Sequence, residues 1–281
     1  SINSKDGNLN SNFGNSGKIK LKHKCQTTPV ILDNEIIIAT FEPGIEVYDL
    51  ESGKIRWKYF LKEKNKEFFR YGGKRYDYSG GNPWGGISAD TNRKIVYVST
   101  GNAGRFYEGT SRPGDNKYSN SVIAIDISSK KMLWEFQEIA HDIWNYDIAS
   151  PPILTSIKKD DKLIDVVVVP TKFGNTLVLD RKTGNNIFEY ANVKVPLSNV
   201  PGEKTSYYQK IFSLPEPFSN LFFDESHITD LSKKSYDTVK EKIKDASYGV
   251  FVPNSINQKN IIYKGGAQWM GASIDNNNSI M

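Results

Sequence analysis

The sequence holds a single cysteine, Cys25, in 281 residues, so it carries no intrachain disulfide framework. It also lacks any apolar run near the roughly 18 residues of a membrane-spanning helix. Its longest apolar strand candidate is IDVVVV at 164–169. Strong charge of one sign is missing too: the formal charge is +5, and the densest basic run is KIKLKHK at 18–24. No basic stripe with interleaved aromatics is present, which removes the signature of nucleic-acid binding and leaves a solvated basic surface. Neither an initiator methionine nor a signal peptide is seen. The chain opens on the polar SINSKDGNLNSN and stops at SIDNNNSIM, so both ends read as cut from a longer chain.

What is present suits a folded protein, with 38% hydrophobic and 12% aromatic residues. Three segments share one pattern: EVYDLESGKIRWKY at 46–59, IAIDISSKKMLWEF at 123–136 and LVLDRKTGNNIFEY at 177–190. Each runs strand, aspartate, turn, strand, with an aromatic eight residues after the aspartate: Asp49 and Trp57, Asp126 and Trp134, Asp180 and Phe188. The glycines of ESGK and KTGN suit the positive backbone angle of a tight hairpin. Repeats of this kind are the signature of an all-β propeller. PVILDNEIIIAT, KIVYVSTGN, DVVVVPTKFGN and NIIYKGGAQWMGASID add further short β-rich runs.

One segment breaks the pattern. SYDTVKEKIKD at 235–245 puts Tyr236, Val239 and Ile243 on one helical face behind a Ser235 cap, so a short helix is expected inside a long loop. With roughly 40–50 residues per blade, residues 1–281 hold about four or five blades of a partial propeller.

NPWGGISADTNRKIVYVSTGN, RPGDNKYSNSVIAIDI and HDIWNYDIASPP occur in this order. Together they resemble the pyrroloquinoline-quinone-dependent dehydrogenases, eight-bladed propellers that oxidise alcohols or sugars. SLPEPFSN, YGVFVPNSI and GGAQWMGASID look most like the membrane-bound glucose dehydrogenase branch. The aspartate–turn–tryptophan repeat is similar to the family's tryptophan-docking motif and is not the motif of a WD40 propeller.

The resemblance implies roles for individual residues. Trp84 in PWGG matches the floor beneath the flat quinone, where an indole can stack and exclude water. Asn102 in STGN matches a calcium ligand, since an amide oxygen is a hard donor. Lys172 in PTKFGN matches the cation that contacts the quinone oxygens. Gln268 and Trp269 fall where the family often has Asn-Trp near the cofactor, and Glu42 stands as an acidic calcium ligand. His141 and Asp142 match a common His-Asp pair that shapes the loop, and no second cysteine adjoins Cys25 to form the vicinal disulfide of some members. The resemblance also implies a periplasmic setting, with electrons passed to a membrane quinone or a cytochrome.

One position departs. Where the family places the aspartate that takes the hydroxyl proton beside the calcium ion, this sequence has Asn145. An amide keeps a metal-seeking oxygen but is no base. Asp147, two residues on, is the nearest alternative carboxylate. An active quinoprotein that recruits Asp147, another carboxylate or water remains open. So does an enzyme that binds cofactor but turns over poorly, and so does a non-catalytic propeller kept as a binding scaffold. The retained Trp84, Asn102 and Lys172 favour the active quinoprotein.

Overall fold

The computed structural model describes residues 1–61, 69–71, 74–76, 81–268 and 271–275. β1 (Val30–Leu32), β2 (Glu35–Thr40), β3 (Gly44–Asp49) and β4 (Ile55–Phe60) form an antiparallel sheet in sequence order. A two-stranded ribbon, β5 (Phe69–Tyr71) and β6 (Lys74–Tyr76), follows. A second four-stranded sheet comprises β7 (Gly86–Asp90), β8 (Ile95–Ser99), β9 (Ser121–Asp126) and β10 (Lys131–Gln137). The third holds β11 (Ile153–Lys159), β12 (Lys162–Pro170) and β13 (Thr176–Asp180). A bridge from Leu179 to Asn186 begins the fourth-strand position of that sheet, just before Phe188. A ribbon of β14 (Tyr190–Lys194) and β15 (Tyr208–Phe212) comes next. The chain continues through helix α1 (Lys233–Ile243) and a short parallel pair, β16 (Ala246–Ser247) and β17 (Lys259–Asn260). The fold is thus the expected all-β set of propeller blades, two of them four-stranded among the described residues.

The repeated aspartates act on their own turns. Asp49 Oδ1 accepts the Ser52 amide at 2.7 Å, Asp126 Oδ1 that of Ser129 at 2.9 Å, and Asp180 Oδ1 that of Thr183 at 2.7 Å. Each carboxylate thereby replaces a backbone acceptor in the tight turn. The positive φ angles follow at Gly53 (67°), Lys130 (57°) and Gly184 (75°), so the middle repeat manages without glycine.

Two of the repeated aromatics act on the next blade, while Phe188 packs against Val166, Val168 and Val178 of its own sheet. Trp134 in β10 donates Nε1–H to the Arg181 carbonyl at 3.2 Å, in the turn after β13. A Cβ on Gly184 would lie 2.5 Å from that indole, so the glycine serves both the turn and the docking. Trp57 in β4 lies similarly beneath the ammonium of Lys130, 5.9 Å from its ring centre, in the turn of the second sheet.

Blade stacking follows from strand alternation. In β8, Val96 and Val98 pack toward Ile37, Ile45 and Val47 of the first sheet. Tyr97, on the opposite face, packs toward Val167, Val169, Leu177 and Leu179 of the third. Both faces of the second sheet are buried, which accounts for the unbroken apolar runs in its strands. Each such Val or Ile contributes about 1.5–3 kcal/mol on burial.

The helix differs slightly from expectation. It starts at Lys233, and its cap is Ser232, whose Oγ accepts the Ser235 amide at 3.1 Å. Ser235 therefore receives the cap and does not supply it. Tyr236, Val239 and Ile243 are the half-buried face, as their spacing predicts. Among the described residues, no helix is long and apolar enough to cross a membrane.

Candidate active site

The site is built where the second and third sheets present the same strand ends. Trp84 and Asn102 flank β7 and β8, Lys172 follows β12, and the loop 141–148 joins β10 to β11. Asp142 organises that loop. Its Oδ1 accepts the Trp144 amide at 2.8 Å, and its Oδ2 accepts the Tyr146 amide at 2.7 Å and Asn120 Nδ2 at 2.9 Å. His141 is buried, with Nδ1 against the Gly114 carbonyl at 2.6 Å. The His-Asp pair shapes the loop, as its motif implies. Burial, then the charge of Asp147, raises the Asp142 carboxyl above the ordinary carboxylate range.

The aromatics of the loop turn inward. Trp144 and Tyr146 join Phe173 and Phe251 in a buried cluster, with Tyr146 and Phe251 each 4.9 Å from Phe173 between ring centres. Trp144 also donates Nε1–H to the Val252 carbonyl at 2.7 Å. This anchoring leaves Asn145 half-buried at φ 63°, in the left-handed region that asparagine and aspartate tolerate best.

Asp147 is the hub of the site. Its Oδ1 accepts Trp84 Nε1–H at 3.0 Å and the Asn102 amide at 2.8 Å, and its Oδ2 accepts Lys172 Nζ at 3.2 Å. Asp147 and Lys172 are 3% and 7% exposed, a buried ion pair whose members need each other. Lys172 Nζ also donates to Asn145 Oδ1 at 3.4 Å. Gly101 permits the convergence: a Cβ there would lie 2.2 Å from Trp84 Nε1 and 2.4 Å from Asp147 Oδ1. The structure thus gathers Trp84, Asn102, Asn145, Asp147 and Lys172 in one place.

The donor set fits a flat anionic ligand with a hard cation. Trp84 offers an indole held at its nitrogen, and Lys172 offers a buried ammonium. Asn102 Nδ2 donates to the Asp142 carbonyl at 3.0 Å, while Asn102 Oδ1 is buried with no hydrogen-bond partner among the described residues. An orphaned buried carbonyl oxygen is what a hard cation would satisfy. Among the described residues, no group of three or more His, Cys, Asp or Glu side chains is placed to hold a metal.

Two other expected residues make contacts of their own. Glu42 pairs through its carboxylate with His23 Nε2. Gln268 is exposed, and its backbone carbonyl accepts Ser150 Oγ at 3.2 Å. The segment before it does reach the site: the Ala267 amide donates to the Thr171 carbonyl at 2.9 Å. Trp269 lies outside the described residues.

Two residues that sequence reasoning passed over stand at the mouth. Tyr107 Oη accepts Asn145 Nδ2 at 3.3 Å and Lys264 Nζ at 2.7 Å, and the same ammonium lies 4.6 Å from the Tyr107 ring centre. The Lys264 hydrogen bond, then that of Asn145, lowers the Tyr107 phenol below its ordinary value. Asn254 Nδ2 secures the loop by donating to the Tyr107 carbonyl at 3.0 Å. No local pattern joins positions 107 and 264. The only signal was that each lies within a few residues of a motif residue, Asn102 or Gln268.

A family profile described as "PQQ: Glucose/ethanol/alcohol dehydrogenase, beta-propeller domain" matches residues 1–281. The chain is 29% identical to the glycerol dehydrogenase large subunit of Gluconobacter oxydans (strain 621H), over 98% of this chain and 41% of that one. It is 24% identical to the quinoprotein glucose dehydrogenase of Escherichia coli (strain K12), over 99% of this chain and 38% of that one. The crystal structure of quinohemoprotein alcohol dehydrogenase from Comamonas testosteroni superposes with a TM-score of 0.51 at 27% identity, covering 68% of this chain and 32% of that one. The chain therefore spans about two fifths of the length of the first curated relatives it matches. With the profile matched from end to end, the chain belongs to the β-propeller domain family of the PQQ-dependent glucose, ethanol and alcohol dehydrogenases.

Proposed function

We propose that the full-length protein is a quinoprotein dehydrogenase that oxidises an alcohol or sugar with pyrroloquinoline quinone and calcium. It would act in the periplasm and pass electrons to a membrane quinone or a cytochrome. The observation that carries this reading is the Asp147 hub, which ties the indole of Trp84, the backbone of Asn102 and the ammonium of Lys172 to one carboxylate. A scaffold has no use for a buried cation and an orphaned amide oxygen set beside an oriented indole.

When bound, pyrroloquinoline quinone supplies the carbonyl that accepts hydride from the substrate carbon. The residues do the rest. Trp84 offers a stacking face and keeps water from it, with its ring angle fixed by the Nε1–H bond to Asp147. Lys172 holds positive charge in a water-poor setting, where it stabilises negative charge developing beside it. Asn102 Oδ1 supplies a hard donor for calcium. Asn145 can orient the substrate hydroxyl but cannot keep its proton. Both Asp147 oxygens already accept from three donors, so the proton leaves to water at the half-exposed mouth.

Equilibrium titration of the full-length protein with pyrroloquinoline quinone tests this. Uptake should depend on calcium, and Trp84→Ala should weaken it several-fold, since a stacked aromatic contact contributes about 0.5–1.5 kcal/mol beyond area burial. No uptake in the presence of calcium would leave the binding scaffold as the better reading.

A further inference from the structure

The mouth of the site carries more donor capacity than it uses. Tyr107 Oη accepts two hydrogen bonds, from Lys264 Nζ at 2.7 Å and Asn145 Nδ2 at 3.3 Å. A phenol oxygen that accepts twice has its own hydrogen left to give. Lys264 spends one of three ammonium hydrogens on Tyr107 and presses its charge on the same ring. The ring is 50% exposed, so this donor pair is open to a ligand.

The charge balance points the same way. The carboxylate normally expected at position 145 is a neutral amide here. Asp147 is turned to the floor and occupied by Trp84, Asn102 and Lys172. The acidic neighbour Glu108 pairs with Arg105 at 2.7 Å and accepts the Thr110 amide at 3.0 Å. Among the described residues, the mouth therefore presents an ammonium and a phenol hydrogen with no opposing carboxylate among the side chains that touch them.

We infer that Tyr107 and Lys264 form a carboxylate-recognition subsite, so that the substrate is a hydroxy acid whose carboxylate docks there while its alcohol faces Asn145 and Lys172. This deepens the dehydrogenase reading and rests on it. A carboxylate accepts both donors at once, and the paired cation makes those hydrogen bonds charge-assisted. An aspartate at position 145 would repel such a substrate, and the amide does not. The departure from the family pattern thus acquires a use in specificity.

Glycerate and glycerol separate the contributions, since they share a carbon skeleton and differ by one carboxylate. Full-length protein loaded with pyrroloquinoline quinone and calcium should oxidise glycerate with the higher kcat/KM. Lys264→Met and Tyr107→Phe should each lower the glycerate-to-glycerol ratio roughly tenfold or more, mainly through KM. Calorimetric titration with glycerate reads the subsite without turnover and should show the same losses. Equal rates for the two substrates, or a ratio untouched by both variants, would overturn the subsite. Weaker quinone uptake by Lys264→Met with the ratio unchanged would also overturn it, by giving the pair to a carboxylate of the cofactor. Failure of the parent protein to take up quinone sinks the dehydrogenase reading instead, so the two failures are distinct.

Discussion

Asp147 and Asn145 stand two residues apart on one loop and meet opposite surroundings. Asp147 is 3% exposed, and its two oxygens accept from Trp84, Asn102 and Lys172. Asn145 is half-buried, and its contacts to Lys172 and Tyr107 are longer, at 3.4 and 3.3 Å. A charge at the first position is held by three donors and holds three groups in return. An amide at the second faces the open side and holds little. The floor of this site is a rigid, mutually dependent unit, whereas the mouth can change residue type at small structural cost. A carboxylate could therefore be lost at the mouth without loss of the floor.

The largest effect should come from breaking the floor. Asp147→Ala in the full-length protein leaves the Lys172 ammonium buried without its partner, a kind of loss that costs about 3–5 kcal/mol. Denaturant unfolding should show that drop, and quinone titration should show uptake lost along with it. A variant that kept both would mean that Trp84 and Lys172 are positioned without the hub.

Beneath the floor, Glu138 offers a second probe. It is fully buried, and its Oε1 accepts Thr171 Oγ1 at 2.9 Å and Asn175 Nδ2 at 2.8 Å. Burial pushes its carboxyl up to about 7. The Thr171 and Asn175 bonds and the Lys210 charge oppose this rise, and the Asp142 charge adds to it. A folded value above the unfolded one means that the native state binds the proton more tightly. The stability from the protonated form is complete below the ordinary carboxylate value and is lost as pH rises toward 7. Stability should fall by about 3 kcal/mol across that window, and Glu138→Gln should flatten the profile. An unchanged slope in the variant would assign the pH dependence elsewhere.

The mouth should respond least. Asn145→Ala places a less tolerant residue at φ 63° and should cost about 1–2 kcal/mol, while Asn145→Gly should cost less at that angle. A loss as large as that of Asp147→Ala would erase the contrast between the two positions.

Much of the fold was legible in the sequence, because the features concerned are local. The aspartate–turn–aromatic repeat encodes both ends of an interaction: Asp180 closes its own turn, and Gly184 in that turn receives Trp134 from the preceding blade. Periodicity then gave the sheets, and the family resemblance pointed to Trp84, Asn102 and Lys172. The helix cap was placed three residues late, because Ser232 and Ser235 are both plausible caps and only geometry separates donor from acceptor. Tyr107 and Lys264 were not legible, since their contact spans 157 positions and depends on how the segment before Gln268 docks on the Thr171 loop. The saturation of Asp147 was hidden for the same reason: its donors come from three separate loops.

We propose that position 145 is the proton-accepting position of this fold, filled here by an amide, and that Asp147 is a structural carboxylate. Dye-linked oxidation of a neutral alcohol by full-length Asn145→Asp, loaded with pyrroloquinoline quinone and calcium, tests it most directly. The left-handed backbone at 145 accepts aspartate as readily as asparagine, so folding should be retained. A general base typically contributes about 10²–10⁴-fold, and the account predicts a rise of that order over the parent. A parent that turns over briskly, with a rate in Asn145→Asp that is unchanged or lower, would contradict it.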